Sequence, residues 1–248
     1  MQYSGLSCMM MHPDFRIFLL VILSGMVASV VFKKLTPPAA ITGGILSCCI
    51  YAGAGFAGIT LMAAFFVLGV LATSWKLDQK ISEGLAEAQK GKRTAAQVFA
   101  NAGMAAITGL ITWILPELRP DAPLIIAACF ASATADTISS ELGNVYGKRF
   151  YHILSLKKAT GGANGVISLE GTLAGCTGSC IISVIYAFWQ GWSIDLLFIV
   201  IAGTLGNFID SILGATLENT GYISNNAVNF FNTCAAAVFI LILNLMRS

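Results

Sequence analysis

No Asp, Glu, Lys or Arg interrupts this chain from Leu35 to Trp75, from Gly171 to Ile194, or from Asn219 to Met246. A bilayer-spanning helix needs about 20 apolar residues, so each run holds one or two spans. Charged residues make up 10% of the chain, where a soluble domain carries about 25%. With mean hydropathy at +0.79, there is too little polar side chain to cover a globule in water. The expected fold is all-α, a polytopic transmembrane helix bundle forming one integral membrane domain over residues 1–248.

Hydropathy marks eight spans: Ile17–Phe32, Ala39–Phe56, Ile59–Trp75, Ala95–Leu115, Pro123–Leu142, Gly165–Trp189, Leu196–Leu217 and Asn226–Met246. No charge marks the break between the second and third, which falls at Gly53 to Gly58. Basic residues orient a multi-pass chain. Alternate connections carry two (Lys33, Lys34), five (Lys76, Lys80, Lys90, Lys92, Arg93), four (Lys148, Arg149, Lys157, Lys158) and none. The other side has three: Arg16, Arg119 and Arg247. Eleven against three places the basic loops in the cytoplasm and both termini outside, in the inner membrane if the cell is bacterial. The stretch Lys76–Arg93 reads equally as a short amphipathic helix at the surface or as a solvated loop.

A net charge of +2 is too small to suggest a nucleic-acid partner. The seven cysteines, Cys8, Cys48, Cys49, Cys129, Cys176, Cys180 and Cys234, form no C-x-x-C pair, and His12 and His152 are the only histidines. Most of these thiols read as small hydrophobes in apolar runs. Met9, Met10 and Met11 lead into an apolar run that reads as a retained first span, not a cleaved signal.

Carboxylates inside spans are the informative feature. Each costs about 2.5–3.5 kcal/mol at mid-membrane, so it faces protein, water or a ligand. Asp136 is expected roughly 9 Å inside the cytoplasmic end of the fifth span and Asp210 about 10 Å inside the seventh. Glu141 and Glu218 lie nearer water, and Glu170 one and a half turns into the sixth. Asp136-Thr137-Ile138 and Asp210-Ser211-Ile212 form a faint internal echo. Small residues accompany the acids: Gly203, Gly206 and Gly214 share a face with Asp210, with Asn207 beside them, and Gly171, Gly175 and Ser179 recur every four residues. That spacing lets helix backbones approach closely. Plain packing, with the acids neutralised by hydrogen bonds, explains it as well.

Two loops add to this. Lys157, Lys158 and Thr160 precede Gly161, Gly162 and Gly165, and exposed N–H groups near a helix start suit a phosphate. A basic turn obeying the positive-inside rule explains the same residues. In "SNNAVN", Asn225 and Asn229 share a face, with Asn225 or Asn226 a candidate N-cap. All these groups converge on the cytoplasmic ends of spans five to eight. Mg²⁺ takes one or two carboxylates plus phosphate oxygens, and lysines offset charge on a transferring phosphoryl group. On position and chemistry, Asp136, Glu141, Asp210 and Glu218 are candidate Mg²⁺ ligands. Asp136, Asp210, Lys157 and Lys158 are candidate catalytic groups.

The stretches "GKRTAAQVFANAG" (91–103), "ATADTISSELG" (133–143), "GGANGVISLEGTLAG" (161–175), "DSILGATLE" (210–218) and "NNAVNF" (225–230) resemble an integral-membrane family of unknown function, number 92. It includes eukaryotic transmembrane protein 19 and the plant chloroplast phytyl-phosphate kinase. The resemblance implies a site made mainly by residues 91–230: Asp136, Glu141, Asn164, Ser168, Asp210, Asn225 and Asn229. Arg93, Gln97 and Asn101, at i, i+4 and i+8, would bring a guanidinium and two amides to it. Ile138 stands where many members carry Trp, and Glu170 and Glu218 replace commoner uncharged residues.

The function this implies is a membrane kinase that phosphorylates an isoprenyl (phytyl-like) lipid monophosphate to the diphosphate, with a nucleoside triphosphate as co-substrate and Mg²⁺. The alternatives are a lipid-phosphate cytidylyltransferase and an ion-coupled transporter using intramembrane carboxylates.

Overall fold

The computed structural model describes residues 13–86 and 91–247. Cys8, Met9 to Met11, His12 and Lys90 lie outside them. Seven of the described helices are long and apolar enough to cross a membrane. In chain order the elements are α1 (Pro13–Val31), α2 (Pro37–Ser74), the short α3 (Leu77–Ser82), α4 (Ala95–Ile114), α5 (Ala122–Tyr146), β1 (Phe150–His152), β2 (Val166–Ser168), α6 (Leu169–Gln190), α7 (Asp195–Leu213) and α8 (Asn225–Arg247).

Helix α2 is a hairpin. A straight helix of its 38 residues would separate its ends by roughly 57 Å. Yet Lys34, just before it, donates to Ser74 Oγ at 2.9 Å. The chain reverses at Gly55, whose φ of 57° and ψ of −144° lie where a Cβ is poorly tolerated. The limbs 37–54 and 56–74 are the expected second and third spans, so the apolar limbs number eight. The first described residues and the end of α8 share one end of the bundle. There Phe18 stacks on Tyr51, and Arg247 pairs with Asp195 at 2.7 Å. The connections after α1, α2, α5 and α7 form the other end, tied by Thr36 N to Arg93 O at 3.1 Å and Trp75 Nε1 to the Tyr146 hydroxyl at 2.8 Å.

Helix α5 is the hub. Of its spanning window 83% is buried, against 11% for α1. Its Ala-rich first half packs on all sides, and glycines of its neighbours lie on its backbone. A Cβ on Gly171 would stand 2.7 Å from Ser139 O, and one on Gly175 2.6 Å from Ala135 O. Gly203 lies against Ala131, and Gly206 against Ser132. The small-residue face expected on the sixth and seventh spans is therefore a packing face.

Three expected boundaries change. The fifth span runs to Tyr146, which sets Asp136 about 15 Å from its end instead of 9 Å. The sixth helix starts at Leu169, because residues 150–168 form a strand pair, with Phe150 opposite Ser168 and His152 opposite Val166. Glycines and the β-branched Val166 and Ile167 favour that extended return over a helix. Glu170 is thus in the first turn of α6, not one and a half turns in. Within the described part of Lys76–Arg93, α3 is a short helix with Asp78, Gln79, Ile81 and Ser82 exposed, whose Lys80 is nonetheless 1% exposed and turned into the protein.

Helices α2 and α4 cross where Gly53 meets Gly109. A Cβ on Gly53 would fall 2.5 Å from Gly109 Cα, and one on Gly109 would overlap the Cys49 carbonyl. Backbone cannot yield as a side-chain tip can, so Gly109→Ala is expected to lower stability by about 1–3 kcal/mol. Thermal unfolding in detergent checks this; an unchanged midpoint contradicts the close crossing.

Candidate active site

The packing of α6 and α7 on α5 brings two distant acids together. Asp136 of α5 and Asp210 of α7 are within hydrogen-bonding reach of one another, with Glu218 close enough to act on Asp210 electrostatically. Asn232 of α8, fully buried, donates from Nδ2 to Asp210 Oδ1 at 2.9 Å. Asn232 Oδ1 in turn accepts from Ser132 Oγ at 3.0 Å. Two carboxylates in contact repel unless a proton or a cation lies with them. This pair is therefore built to be neutralised.

The acids open into a polar chamber of about 260 Å³ at the loop end of the bundle. Of the expected site residues, Arg93, Gln97, Asn101, Asp136, Glu141 and Gly162 line it, as do Asn164, Ser168, Asp210, Glu218, Asn225 and Asn229. Local structure explains how several are presented. Thr94 and Gln97 form a capping box, Thr94 N donating to Gln97 Oε1 at 2.8 Å, so α4 starts in the chamber wall. Asn101 Nδ2 donates to Gln97 O at 2.9 Å, and its buried Oδ1 has no partner. Ser168 caps α6 by accepting from Gly171 N at 3.1 Å. The cap of α8 is taken by Ser224, whose Oγ accepts from Ala227 N at 3.4 Å. Neither Asn225 nor Asn226 is needed for it, and both Asn225 and Asn229 line the chamber.

Three expectations are corrected. Lys157 and Lys158 are exposed on the turn beyond β1 and do not line the chamber. The turn leads the lysines away, and Arg93 is the one cationic side chain among the described lining residues. Thr160 is exposed as well, and Gly161 packs on the Phe150 ring. Only Gly162 and Gly165 of the three expected glycines reach the chamber, both with positive φ, 84° and 74°. The four-carboxylate metal set is not assembled either. Among the described residues no three His, Cys, Asp or Glu side chains could hold a metal ion. Glu141 is instead ion-paired with the buried Nζ of Lys80, which also donates to Ala72 O at 3.1 Å and Thr73 O at 2.9 Å. The Glu141 side chain lines the chamber, and its Oε1 is buried without a partner.

Residues 18–237 match the family described as Integral membrane protein DUF92. The chain belongs to that family. It is 30% identical over 196 residues to the chloroplast protein VTE6 of Arabidopsis thaliana, covering 76% of this chain and 59% of that protein. It is 32% identical over 213 residues to an uncharacterized membrane protein of Synechocystis sp., covering 83% and 81%. A membrane protein of Methanocaldococcus jannaschii is 30% identical over 185 residues, covering 74% and 75%. No solved structure matches. Every described residue that lines the chamber falls inside the stretch matched to DUF92.

Sequence reasoning missed several groups of this DUF92 site. Asn207, read from the sequence as lying beside Asp210, does line the chamber, and the missed Asn144 lines it two turns beyond Asp136; helical spacing from that acid could have found it. Asn232 and Lys80 carried no such signal, because each acts through a partner far along the chain. Removing one member of a buried ion pair costs about 3–5 kcal/mol, whereas an apolar pair is often neutral. Lys80→Met is therefore expected to lower the unfolding midpoint in detergent strongly. The double change Lys80→Met with Glu141→Leu is expected to regain most of it. Equal loss in both variants contradicts a charge-balancing role for the pair.

Proposed function

We propose that the chamber is the active site of a membrane phosphotransferase, which passes the γ-phosphoryl group of a nucleoside triphosphate to an isoprenyl, phytyl-like lipid monophosphate. The observation that carries this is the Asp136–Asp210 contact inside an amide-rich chamber at one end of an otherwise apolar bundle. The basic connections at that end support a cytoplasmic orientation, with both termini outside. The family resemblance supports the lipid phosphate as acceptor. A coupled transporter would also place ionisable groups near the midplane; the opening of this chamber among the loops is what favours the phosphotransferase.

The donor set suits Mg²⁺. Two adjacent carboxylates are what that ion takes when phosphate oxygens and water complete its shell, and Glu141 is already committed to Lys80. Held by Asp136 and Asp210, Mg²⁺ would neutralise charge on the phosphates and keep the reacting oxygens in line. The Arg93 guanidinium offers planar donors to phosphate oxygens, taking the role expected of Lys157 and Lys158. Amides of Asn164, Asn225 and Asn229, which line the same chamber, would orient the phosphates. Asn232 holds Asp210 in place. A phosphate monoester loses its second proton near about pH 6, so the acceptor is already a nucleophile and needs no general base. A bond forms from the acceptor oxygen to the γ-phosphorus as the β,γ-bridging bond breaks. The electron pair leaves with the nucleoside diphosphate, and nothing is oxidised or reduced.

Purified protein, given prenyl monophosphates and γ-labelled nucleotides with Mg²⁺, is expected to produce labelled prenyl diphosphate. No transfer with any triphosphate or chain length overturns the reading, and a nucleotidyl-lipid with released pyrophosphate would make the enzyme a cytidylyltransferase. Asp136→Asn and Asp210→Asn are each expected to cut turnover by about 10²–10³, the scale of losing one transition-state electrostatic contact. Lys157→Ala with Lys158→Ala, by contrast, is expected to leave turnover unchanged. A large loss in that variant would return the lysines to the site.

A further inference from the structure

A second space lies across α4 from the chamber. It is an apolar groove of about 200 Å³ walled by α1, both limbs of α2 and α4. Helix α4 divides the two spaces. Gln97 and Asn101 line the polar chamber, while Val98 and Ala102, one position further along, line the groove. Arg93 is the one described residue that lines both.

The placement of Arg93 is built from several directions. Its N donates to Lys34 O at 3.0 Å and its O accepts from Thr36 N at 3.1 Å, fixing the backbone between α1 and α2. Its guanidinium lies 5.0 Å from the centre of the Phe65 ring and directly over Gly69, where any side chain would overlap it. A buried cation is thus held at the seam between an aqueous-type space and an oily one. On the α1 side, the groove runs from Val21 to Ser29, about 12 Å along that helix. Gly25 leaves room there, with no atom within 4 Å of where its Cβ would stand.

We infer that this groove holds the hydrocarbon tail of a lipid phosphomonoester, with Arg93 gripping the phosphate where the two spaces meet. The inference rests on the phosphotransferase reading for the headgroup and on the shared Arg93 for the location. A monoester suits the seam better than a bilayer phospholipid. A phosphodiester carries a second substituent, which would stand between the guanidinium and the two aspartates. A monoester leaves three oxygens to face them.

The test is photolabelling of the full-length protein in nanodiscs with a prenyl monophosphate carrying a diazirine at the tail end. Label is expected on the groove segments 21–29, 43–47 and 59–66, competed by unlabelled prenyl monophosphate. Gly25→Trp fills the groove from its open side, and Gly43→Leu does so from α2, where the nearest atoms are 3.8 Å and 3.9 Å from an added Cβ. Groove labelling is expected to be lost in both variants, and either one serves if the other fails to fold. Label scattered over lipid-facing helices, label not competed by prenyl phosphate, or label undiminished in a folded variant would overturn the inference. Competed groove labelling in a protein that transfers no phosphoryl group would support the groove and remove only the phosphotransferase reading.

Discussion

The contact between Asp136 and Asp210 exists because glycines on α6 and α7 let those helices lie directly on the backbone of α5. An added methyl at Gly171, Gly175 or Gly206 would strike a carbonyl or a hydroxyl of the hub helix, and one at Gly203 would strike Ser179 Oγ of α6 and press on Ala131 of the hub. In a bilayer the helices gain nothing by hiding oil from oil, so close van der Waals approach is the main attraction available. That approach then decides which polar groups face one another. The acids meet because the glycines beside them permit it, and the rest of the chamber is arranged around that meeting.

Charge balance in the chamber follows a consistent division. Glu141 is neutralised internally by Lys80, which is anchored on the carbonyls that end the second limb of α2. Asp136 and Asp210 face each other, with Asp210 steadied by the Asn232–Ser132 relay. Arg93 stands opposite as the described cation of the lining. Buried acceptors without partners, Asn101 Oδ1 and Glu141 Oε1, also lie at this chamber. Unpaired buried polar atoms are costly, and of the three among the described residues two, all but Thr73 Oγ1, belong to side chains that line this chamber.

Much of this was legible in the chain. Uncharged runs fix the spans, and the helical repeat of glycines marks the close-packing faces. Acids too deep for a surface loop point to an internal site. The hairpin at Gly55 was visible only as a gap between apolar runs, because a reversal made by one glycine needs no charge or proline to announce it. The lysines after β1 misled for a related reason. A basic loop beside a glycine run has the composition of a phosphate site, yet two short strands turn its side chains outward. Lys80 misled in the opposite sense, as a basic residue in a polar connection that is nonetheless among the most buried groups in the molecule.

Composition and spacing by themselves determined that this chain is a multi-helix membrane bundle, which faces of its helices can touch, and which carboxylates must be inside it. These follow from hydropathy and from the 3.6-residue repeat, both local properties. Only the tertiary structure decided which acid meets which partner: Asp136 with Asp210, Glu141 with Lys80, and Arg93 with two spaces at once. Those pairings join residues separated by tens of positions, and their geometry depends on how whole helices cross, which no local pattern encodes.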